Sequence, residues 1–222
     1  MNKLNHVAFI MDGNGRWGKK KNKGRNFGHL NGVKTVKHIV ESSVKLKIPI
    51  VTFYVFSTEN WRRPKAEINF LFKLIISYFK EELNKVISNG IRINIIGRYE
   101  KLPLKIKTSL KKASKLTIKN KKIIVNLAIN YGSKDEIINA FKKIKKKISI
   151  KALEQNLYTR NFPHPDILIR TGGHKRLSNF MLWQLAYSEI YFVKKLWPDF
   201  NGKDLKKIIN NFRKVKRNFG SI

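Results

Sequence analysis

The chain has 222 residues, enough for one sizeable domain, and its 48 basic and 14 acidic side chains give a net charge of +34. It contains no cysteine, which excludes disulfides and thiolate catalysis. No segment approaches the roughly 20 consecutive apolar residues that cross a bilayer. Because Met1–Asn5 also lacks the apolar run of a secretory signal, we expect a cytoplasmic protein.

Six short runs of apolar and β-branched residues predict strands, at Val7–Met11, Ile50–Phe56, Ile91–Ile96, Ile123–Ile129, Ile167–Ile169 and Ile190–Val193. Stretches of helical period alternate with them or follow them, at 29–46, 67–88, 104–119, 133–148 and 204–217. Several of the strands are continuously apolar, as is typical of strands buried on both faces of a parallel sheet. The order predicts a single α/β domain over residues 1–222, with a central, mostly parallel six-stranded sheet flanked by helices.

Ligands of open parallel sheets bind beyond the carboxyl ends of the strands. We therefore expect the chemistry in the segments that leave the predicted strands, which are Asp12–Gly18, Ser57–Pro64, Gly97–Arg98, Asn130–Gly132 and Arg170–Gly173.

The first of these segments combines a carboxylate with alternating glycines. Glycines let backbone N–H groups converge on an anion, and Arg16 adds a planar fork for phosphate oxygens. Asp12 could hold Mg²⁺; the alternative is a tight turn in which Asp12 caps the next helix. The pattern is neither the phosphate loop of nucleotide triphosphatases nor a dinucleotide fingerprint.

Two further segments carry arginine with aromatic or imidazole groups. Arg25 and His29 are four residues apart across a predicted helix start, so both could reach one phosphate, although His29 could equally be an ordinary first-turn histidine. In Ser57–Pro64, Trp61 and Arg63 suit a pocket for an apolar substrate with an anionic head. Glu67 either belongs to that pocket or favours the dipole of the following helix.

A second anion clamp is predicted near the C-terminus, where Arg170 and Arg176 bracket the pair Gly172-Gly173 and Ser178 follows. Two arginine-lined loops imply two anionic groups or one large one. The helix predicted at 67–88 carries an apolar stripe that Phe70 and Leu74 widen beyond one face. Packing on the sheet explains the stripe; the alternative is one wall of a hydrophobic tunnel.

Eight stretches of the sequence, in order, resemble the cis-prenyltransferase family. They are His6–Trp17, Gly28–Gly32, Phe56–Pro64, Asn130–Gly132, Ile169–Gly173, Arg176–Gln184, Tyr187–Phe192 and Trp197–Phe200. The resemblance implies a homodimer in which each α/β domain encloses a hydrophobic tunnel and condenses isopentenyl diphosphate onto an allylic diphosphate. Mg²⁺ would be required, the primer would be farnesyl diphosphate, and the product would be a long cis-polyprenyl diphosphate such as the undecaprenyl precursor of the cell-wall carrier lipid.

The resemblance also implies roles for individual residues. Catalysis would rest on Asp12 and Asn60, and Mg²⁺ would be held by Asp12 and Glu189, the latter reaching across the dimer. The isopentenyl diphosphate would be bound by Arg170, Arg176 and Ser178. The allylic diphosphate would be bound by Gly13, Asn14, Gly15, Arg16, Trp17, Arg25, His29, Ser57, Thr58, Glu59, Trp61 and Arg63.

One departure from the family pattern lies between Gly173 and Arg176, where bacterial members carry Glu and often His but this chain has His174-Lys175. Either His174 substitutes in positioning Mg²⁺, or Lys175 contacts diphosphate directly. The sequence has no Asp-Asp-x-x-Asp motif, which argues against the unrelated trans-prenyltransferases.

The excess of positive charge has two explanations, an anionic partner or compositional drift in a chain whose excess is almost entirely lysine. We favour drift. We expect no nucleic-acid partner, because the aromatic residues do not interleave with the lysine runs. A non-catalytic partner subunit should lack Asp12 or the loop from Arg170 to Ser178, and both are present. The lysines could still bring the protein to the inner face of an anionic membrane.

Overall fold

One six-stranded sheet organises the computed structural model, which describes residues 2–145 and 147–217. The strands are β1 (His6–Ile10), β2 (Ile50–Ser57), β3 (Ile91–Ile96), β4 (Ile123–Tyr131), β5 (Ile167–Arg170) and β6 (Glu189–Phe192). Their order across the sheet is β3-β4-β2-β1-β5-β6, and every neighbouring pair is parallel. The predicted α/β fold is confirmed, and the sheet is wholly rather than mostly parallel.

Helices cover both faces of this sheet. They are α1 (Asn14–Lys20), α2 (Gly24–Lys45), α3 (Lys65–Ser88), α4 (Leu104–Thr117), α5 (Ser133–Lys142), α6 (Ile150–Glu154) and α7 (Gly202–Lys214), with short 3₁₀ helices at Thr58–Arg62, Tyr99–Lys101 and Trp197–Asp199. Among the residues described, no helix is long and apolar enough to cross a membrane.

The larger part of the core lies on the face covered by α2, α3, α4 and α7. At its centre the rings of Phe9 and Phe53 stack at 5.0 Å, and Trp197 meets both edge-on. Alternate residues of the same strands, such as Ala8 and Leu168, face a second cluster on the other side of the sheet. Burial on both faces explains why β1 is apolar from Val7 to Ile10.

Two sequence predictions were wrong: helix α1 was missed, and α5 was predicted to extend too far. Helix α1 was predicted as a loop because glycine disfavours helices, yet a Cβ at Gly28 of α2 would lie 1.8 Å from the Asn14 carbonyl oxygen. Close packing of α1 on α2 therefore requires glycine. Helix α5 ends at Lys142, not at residue 148, and α6 begins after Ser149, whose Oγ accepts from Ala152 N–H. Residues 1, 146 and 218–222 of the predicted domain, Lys146 of the predicted helix among them, lie outside the described residues.

Candidate active site

A polar cleft lies beyond the carboxyl ends of β1, β2 and β5, the edge of the sheet at which the sequence predicts a ligand site. Its volume is about 1300 Å³, counted to its open mouth. The cleft is lined by Ile10, Met11, Asp12, Asn14, His29, Tyr54, Val55, Ser57, Glu59, Asn60, Arg63, Leu71, Arg170, Arg176, Ser178 and Asn179. Residues from both predicted anion clamps therefore share one cleft.

Asp12 and Arg170 form the floor of the cleft. The Arg170 Nη2 atom donates to Asp12 Oδ2 at 2.8 Å, and Arg16 Nη2 lies 3.2 Å from Asp12 Oδ1. On its other side Arg170 Nη1 donates to Ser178 Oγ at 2.7 Å and to the Arg176 carbonyl oxygen. Because the Arg170 side chain is only 4% exposed, its fork is held in one orientation by these partners.

The turn after β1 is fixed by a left-handed glycine. Gly13 has φ 110°, and a Cβ there would meet Leu196 Cδ2 at 2.8 Å. A depression of about 410 Å³ lies beside this turn. Its lining combines the predicted glycine loop with arginines from three elements: Met11, Asp12, Gly13, Asn14, Gly15, Arg16, Arg25, His29 and Arg63.

Glu67, in the first turn of α3, organises the basic side chains of that depression. Arg25 donates to both of its carboxylate oxygens at 3.0 Å, and Arg63 Nη1 donates to Oε1 at 3.1 Å. The hydrogen bonds from Arg25 lower the pKa of Glu67, so it is ionised at neutral pH. Glu67 lies in the first turn of α3, and it contacts Arg25 and Arg63 of the depression without lining the depression or the cleft itself.

Asn14 and His29 lie where the cleft meets the depression and the apolar cavity. Two of their buried polar atoms, Asn14 Oδ1 and His29 Nε2, have no hydrogen-bond partner within the described residues. His29 Nε2 lies 3.4 Å from Glu67 Oε1, an oxygen already occupied by both arginines. Burial and the positive charge of Arg63 lower the pKa of His29, so the imidazole is neutral at pH 7. Both atoms can bond a ligand or water in the cleft.

The segment after β2 is held as a 3₁₀ turn by its own polar side chains. Asn60 Oδ1 accepts from the Ser57 N–H at 3.1 Å in a reciprocal capping box, and both residues line the cleft. Glu59 Oε1 accepts from Asn179 Nδ2 at 2.8 Å, which joins this turn to the loop that carries Arg176 and Ser178.

An apolar cavity of about 980 Å³, open mouth included, lies between α2, α3 and the sheet. It shares Met11, Asn14, His29, Val55 and Leu71 with the polar cleft, so the two spaces adjoin. Its remaining lining is Gly32, Val33, Val36, Val40, Phe56, Leu74, Ile75, Tyr78, Phe79, Val86, Ile91, Ile93, Val125, Leu127, Ile129 and Trp197. Leu74 lines this cavity, as the tunnel interpretation of the widened stripe requires, whereas Phe70 does not.

Three residues expected at the allylic site are directed elsewhere. Trp17 Nε1 donates to Asp199 Oδ1 at 2.7 Å, and Trp61 Nε1 donates to Asn130 Oδ1 at 2.8 Å. The hydroxyl of Thr58 lies against Gly132. None of the three lines the cleft, the depression or the apolar cavity.

Glu189 is not brought to Asp12 within one chain. The parallel pairing of β5 and β6 sets Glu189 opposite Ile167 and Phe192 opposite Arg170. Three residue steps, about 10 Å along the strand, therefore separate Glu189 from the level of Arg170, the partner of Asp12. The expected sharing of one ion by Asp12 and Glu189 requires a second subunit.

Within the described part of the chain, no group of three or more His, Cys, Asp or Glu side chains could hold a metal ion. A single carboxylate such as that of Asp12 is enough for Mg²⁺, because this ion is commonly bound by one or two carboxylates together with substrate phosphates and water. Its side chain is 25% exposed, and the two arginine contacts leave lone pairs free on a carboxylate. The donor set therefore fits an ion that completes its shell with diphosphate oxygens.

Sequence reasoning missed two polar residues of the cleft, Tyr54 and Asn179. The Tyr54 hydroxyl donates toward the Ser178 carbonyl oxygen at 3.3 Å, and Asn179 supports the Glu59 contact. Tyr54 carries a polar group near the carboxyl end of a mostly apolar strand, which was the available signal. His174 and Lys175, which stand at the departure from the family pattern, do not line the cleft.

Comparisons with known proteins identify the family. Residues 10–220 match the family model described as "Putative undecaprenyl diphosphate synthase". The isoprenyl transferase of Clostridium perfringens is 43% identical over 98% of this chain and 90% of its own length, and that of Fusobacterium nucleatum is 42% identical over 98% and 96%. The crystal structure of lavandulyl diphosphate synthase from Lavandula x intermedia, in complex with dimethylallyl diphosphate, superposes with a TM-score of 0.94 at 34% identity over 98% of each chain. A probable undecaprenyl diphosphate synthase from Campylobacter jejuni gives 0.86 at 38% identity over the whole of both chains.

The fold is that of a prenyl-group transferase, and the chain belongs to the undecaprenyl diphosphate synthase family. It is a cis-prenyltransferase, an enzyme of isoprenoid biosynthesis that makes a polyprenyl diphosphate.

Proposed function

We propose that this enzyme condenses isopentenyl diphosphate units onto farnesyl diphosphate with cis geometry, in a Mg²⁺-dependent reaction that yields an undecaprenyl-type carrier-lipid precursor. The observation that supports this most strongly is that a polar cleft lined by Arg63, Arg170 and Arg176 adjoins both an apolar cavity and the depression that Arg16 and Arg25 line. Such a space fits two diphosphates and one growing hydrocarbon chain.

The allylic diphosphate occupies the depression beside Gly13, where Arg16, Arg25 and Arg63 converge. The dimethylallyl diphosphate in the related lavandulyl enzyme is also an allylic diphosphate, which supports an allylic site on this fold. The unpaired His29 Nε2 and Asn14 Oδ1 lie between this depression and the apolar cavity, which takes the chain. Because Trp17, Thr58 and Trp61 point elsewhere, we assign them supporting roles in the surrounding packing.

The isopentenyl diphosphate binds at Arg170, Arg176 and Ser178, across the cleft from the first site. As the allylic C–O bond breaks, a carbon–carbon bond forms to isopentenyl diphosphate and a proton leaves the adduct. Arg16 and Arg25 stabilise the negative charge that develops on the departing diphosphate, because they are placed before the reaction begins. Asn60 and Ser57, at the edge of the cleft, position the substrates and assist the loss of the proton.

Asp12 holds Mg²⁺, which when bound neutralises part of the charge on the departing diphosphate. In a homodimer Glu189 of the partner subunit completes that site. An apolar sheet edge supports the homodimer. Strand β6 lies at the edge of the sheet, where its backbone can pair with another chain, and its Ile190 and Phe192 are 39% and 37% exposed. We place the enzyme in the cytoplasm, in peripheral contact with the inner face of the membrane.

The test is incorporation of labelled isopentenyl diphosphate into butanol-extractable lipid, with farnesyl diphosphate as primer, with and without Mg²⁺. We expect a Mg²⁺-dependent product from the native protein and none from Asp12→Ala, with chromatography giving the chain length. A product without added metal in the presence of a chelator would contradict the Mg²⁺ requirement. Absence of any product from folded native protein would contradict the proposal.

A further inference from the structure

The C-terminal half of α4 presents a basic surface with apolar side chains at its centre. Residues 101–122 contain nine lysines and no acidic residue. Lys112 and Lys115 of α4 and Lys119, two residues after its end, are exposed and follow one another at spacings of three and four residues. Beside them Leu116 and Ile118 are 49% and 55% exposed. We call Lys112, Lys115, Leu116, Ile118 and Lys119 the α4 surface.

This surface lies next to the inner end of the apolar cavity. Asn120, just after α4, donates through Nδ2 to the carbonyl oxygens of Ile87 and Ile91 at 3.2 and 2.8 Å. Thr117 Oγ1 accepts from Ile93 N–H at 2.9 Å. Ile91 and Ile93 line the cavity at the amino end of β3, the end opposite the polar cleft. The segment that carries the α4 surface is therefore hydrogen-bonded, through Thr117 and Asn120, to residues at the inner end of the cavity.

We propose that the α4 surface docks on an anionic lipid bilayer and so sets the inner end of the apolar cavity against the membrane. The proposal rests on the proposed function, because it places the site of the growing hydrocarbon chain beside the phase that takes up such chains. Each lysine near an anionic bilayer strengthens binding about fivefold. Leu116 and Ile118 can enter the boundary between headgroups and acyl chains.

The apolar residues favour a bilayer over a nucleic acid as the partner. Lysines alone would suit any polyanion, since their attraction to phosphate does not depend on its source. Leu116 and Ile118, by contrast, gain little from a phosphate backbone and gain from burial in lipid.

A second basic surface on the other side of the sheet provides a matched control. On α5 and the segment after it, Lys142, Lys143 and Lys147 are exposed, and Ile138 is 54% exposed, as Ile118 is 55%. These residues have the same chemistry but do not adjoin the apolar cavity.

The first measurement is sedimentation of the full-length protein, without substrates, with vesicles of equal parts phosphatidylcholine and phosphatidylglycerol. We expect Lys112→Gln/Lys115→Gln/Lys119→Gln to bind on the order of 100-fold more weakly, and Lys142→Gln/Lys143→Gln/Lys147→Gln, which loses the same charge, to bind nearly as the native protein does. Equal losses in the two triple variants, or equal binding of the native protein to pure phosphatidylcholine, would overturn the proposal.

The absence of cysteine allows a second, site-specific readout. A polarity-sensitive fluorophore on Ile118→Cys should shift to shorter wavelength on anionic vesicles, and the same label on Ile138→Cys should not. Binding of duplex DNA that is lost in the α4 triple variant, with no shift at position 118 on vesicles, would instead identify a general polyanion site. In detergent solution the α4 triple variant should incorporate isopentenyl diphosphate at the native rate. Failure of the native protein in that assay would contradict the proposed function and leave the vesicle result unaffected.

Discussion

Arg170 Nη2 lies 2.8 Å from Asp12 Oδ2, which joins the carboxyl ends of β5 and β1 at the floor of the cleft. The contact links the two proposed substrate sites, because Asp12 also contacts Arg16 and Arg170 also holds Ser178. The contact between Asp12 and Arg170 therefore both positions the side chains of the site and stabilises the fold.

Replacement of Asp12 by asparagine removes the counter-charge of a guanidinium that is 4% exposed. We expect Asp12→Asn to lower the free energy of unfolding by about 2 kcal/mol, less than for a fully buried pair because Asp12 is 25% exposed. Urea denaturation of Asp12→Asn, Arg170→Gln and the double variant should show strong coupling. If the losses in the free energy of unfolding were simply additive, the interaction between Asp12 and Arg170 would contribute nothing to stability.

Arg176 should determine the affinity for isopentenyl diphosphate. A hydrogen bond to a charged group contributes about 1.5–3 kcal/mol, so Arg176→Ala should raise the KM for isopentenyl diphosphate by about one to two decades and leave the KM for the allylic primer unchanged. Lys175→Ala is the neighbouring control, since Lys175 does not line the cleft. An equal effect in Lys175→Ala would show that Lys175 contacts diphosphate.

Glu67 should act on the allylic primer through the arginines that it holds. Glu67→Gln leaves Arg25 and Arg63 without the carboxylate that fixes them, and we expect the primer KM to rise by about tenfold. The KM for isopentenyl diphosphate should not change. Glu82→Gln removes an acid of the same helix that pairs with Lys37 and should alter neither constant. A parallel rise in both KM values would refute a specific role for Glu67.

Product length should depend on the inner end of the apolar cavity. Val86→Phe fills space there and should shorten the longest product, whereas Ile91→Ala opens it and should lengthen the product. Addition of the first isopentenyl unit should proceed at the native rate in both variants, because neither residue lines the polar cleft. Chromatography of labelled products gives the result. An unchanged product distribution in both variants would mean that the chain ends elsewhere.

His6 should make the fold sensitive to acid. Complete burial lowers its pKa to about 4, while Nδ1 lies 2.8 Å from the Pro163 carbonyl oxygen and Nε2 lies 2.6 Å from Thr52 Oγ1. Between pH 6.5 and 4 the unfolded chain binds a proton that the folded chain does not. The free energy of unfolding should therefore fall as the pH falls through this window, by about 3 kcal/mol in all.

The variant His6→Asn cannot titrate and should lose this part of the pH dependence. Denaturant unfolding of both proteins across the window provides the comparison. The same slope in the variant would assign the acid sensitivity to other groups.

The sequence by itself determined the strands and the edge of the sheet that carries the site. A continuous apolar run such as Val7–Ile10 of β1 is typical of a strand that is buried on both faces of a parallel sheet. Parallel strands bring their carboxyl ends to one edge of the sheet. Asp12 and Arg170 could thus be assigned to one cleft although they are 158 positions apart. Motif order was sufficient to indicate the family.

Only the tertiary structure decided which side chains meet. Trp17 and Trp61 stand in matching motifs, yet their indole N–H groups are taken by Asp199 and Asn130, far away in sequence. Helix α1 forms against its own propensity because α2 offers glycines that admit its backbone. Glu189 lies at the other end of β6 because strand register, which depends on long-range pairing, sets its height. Such contacts depend on distances across the fold, and local sequence patterns do not encode those distances.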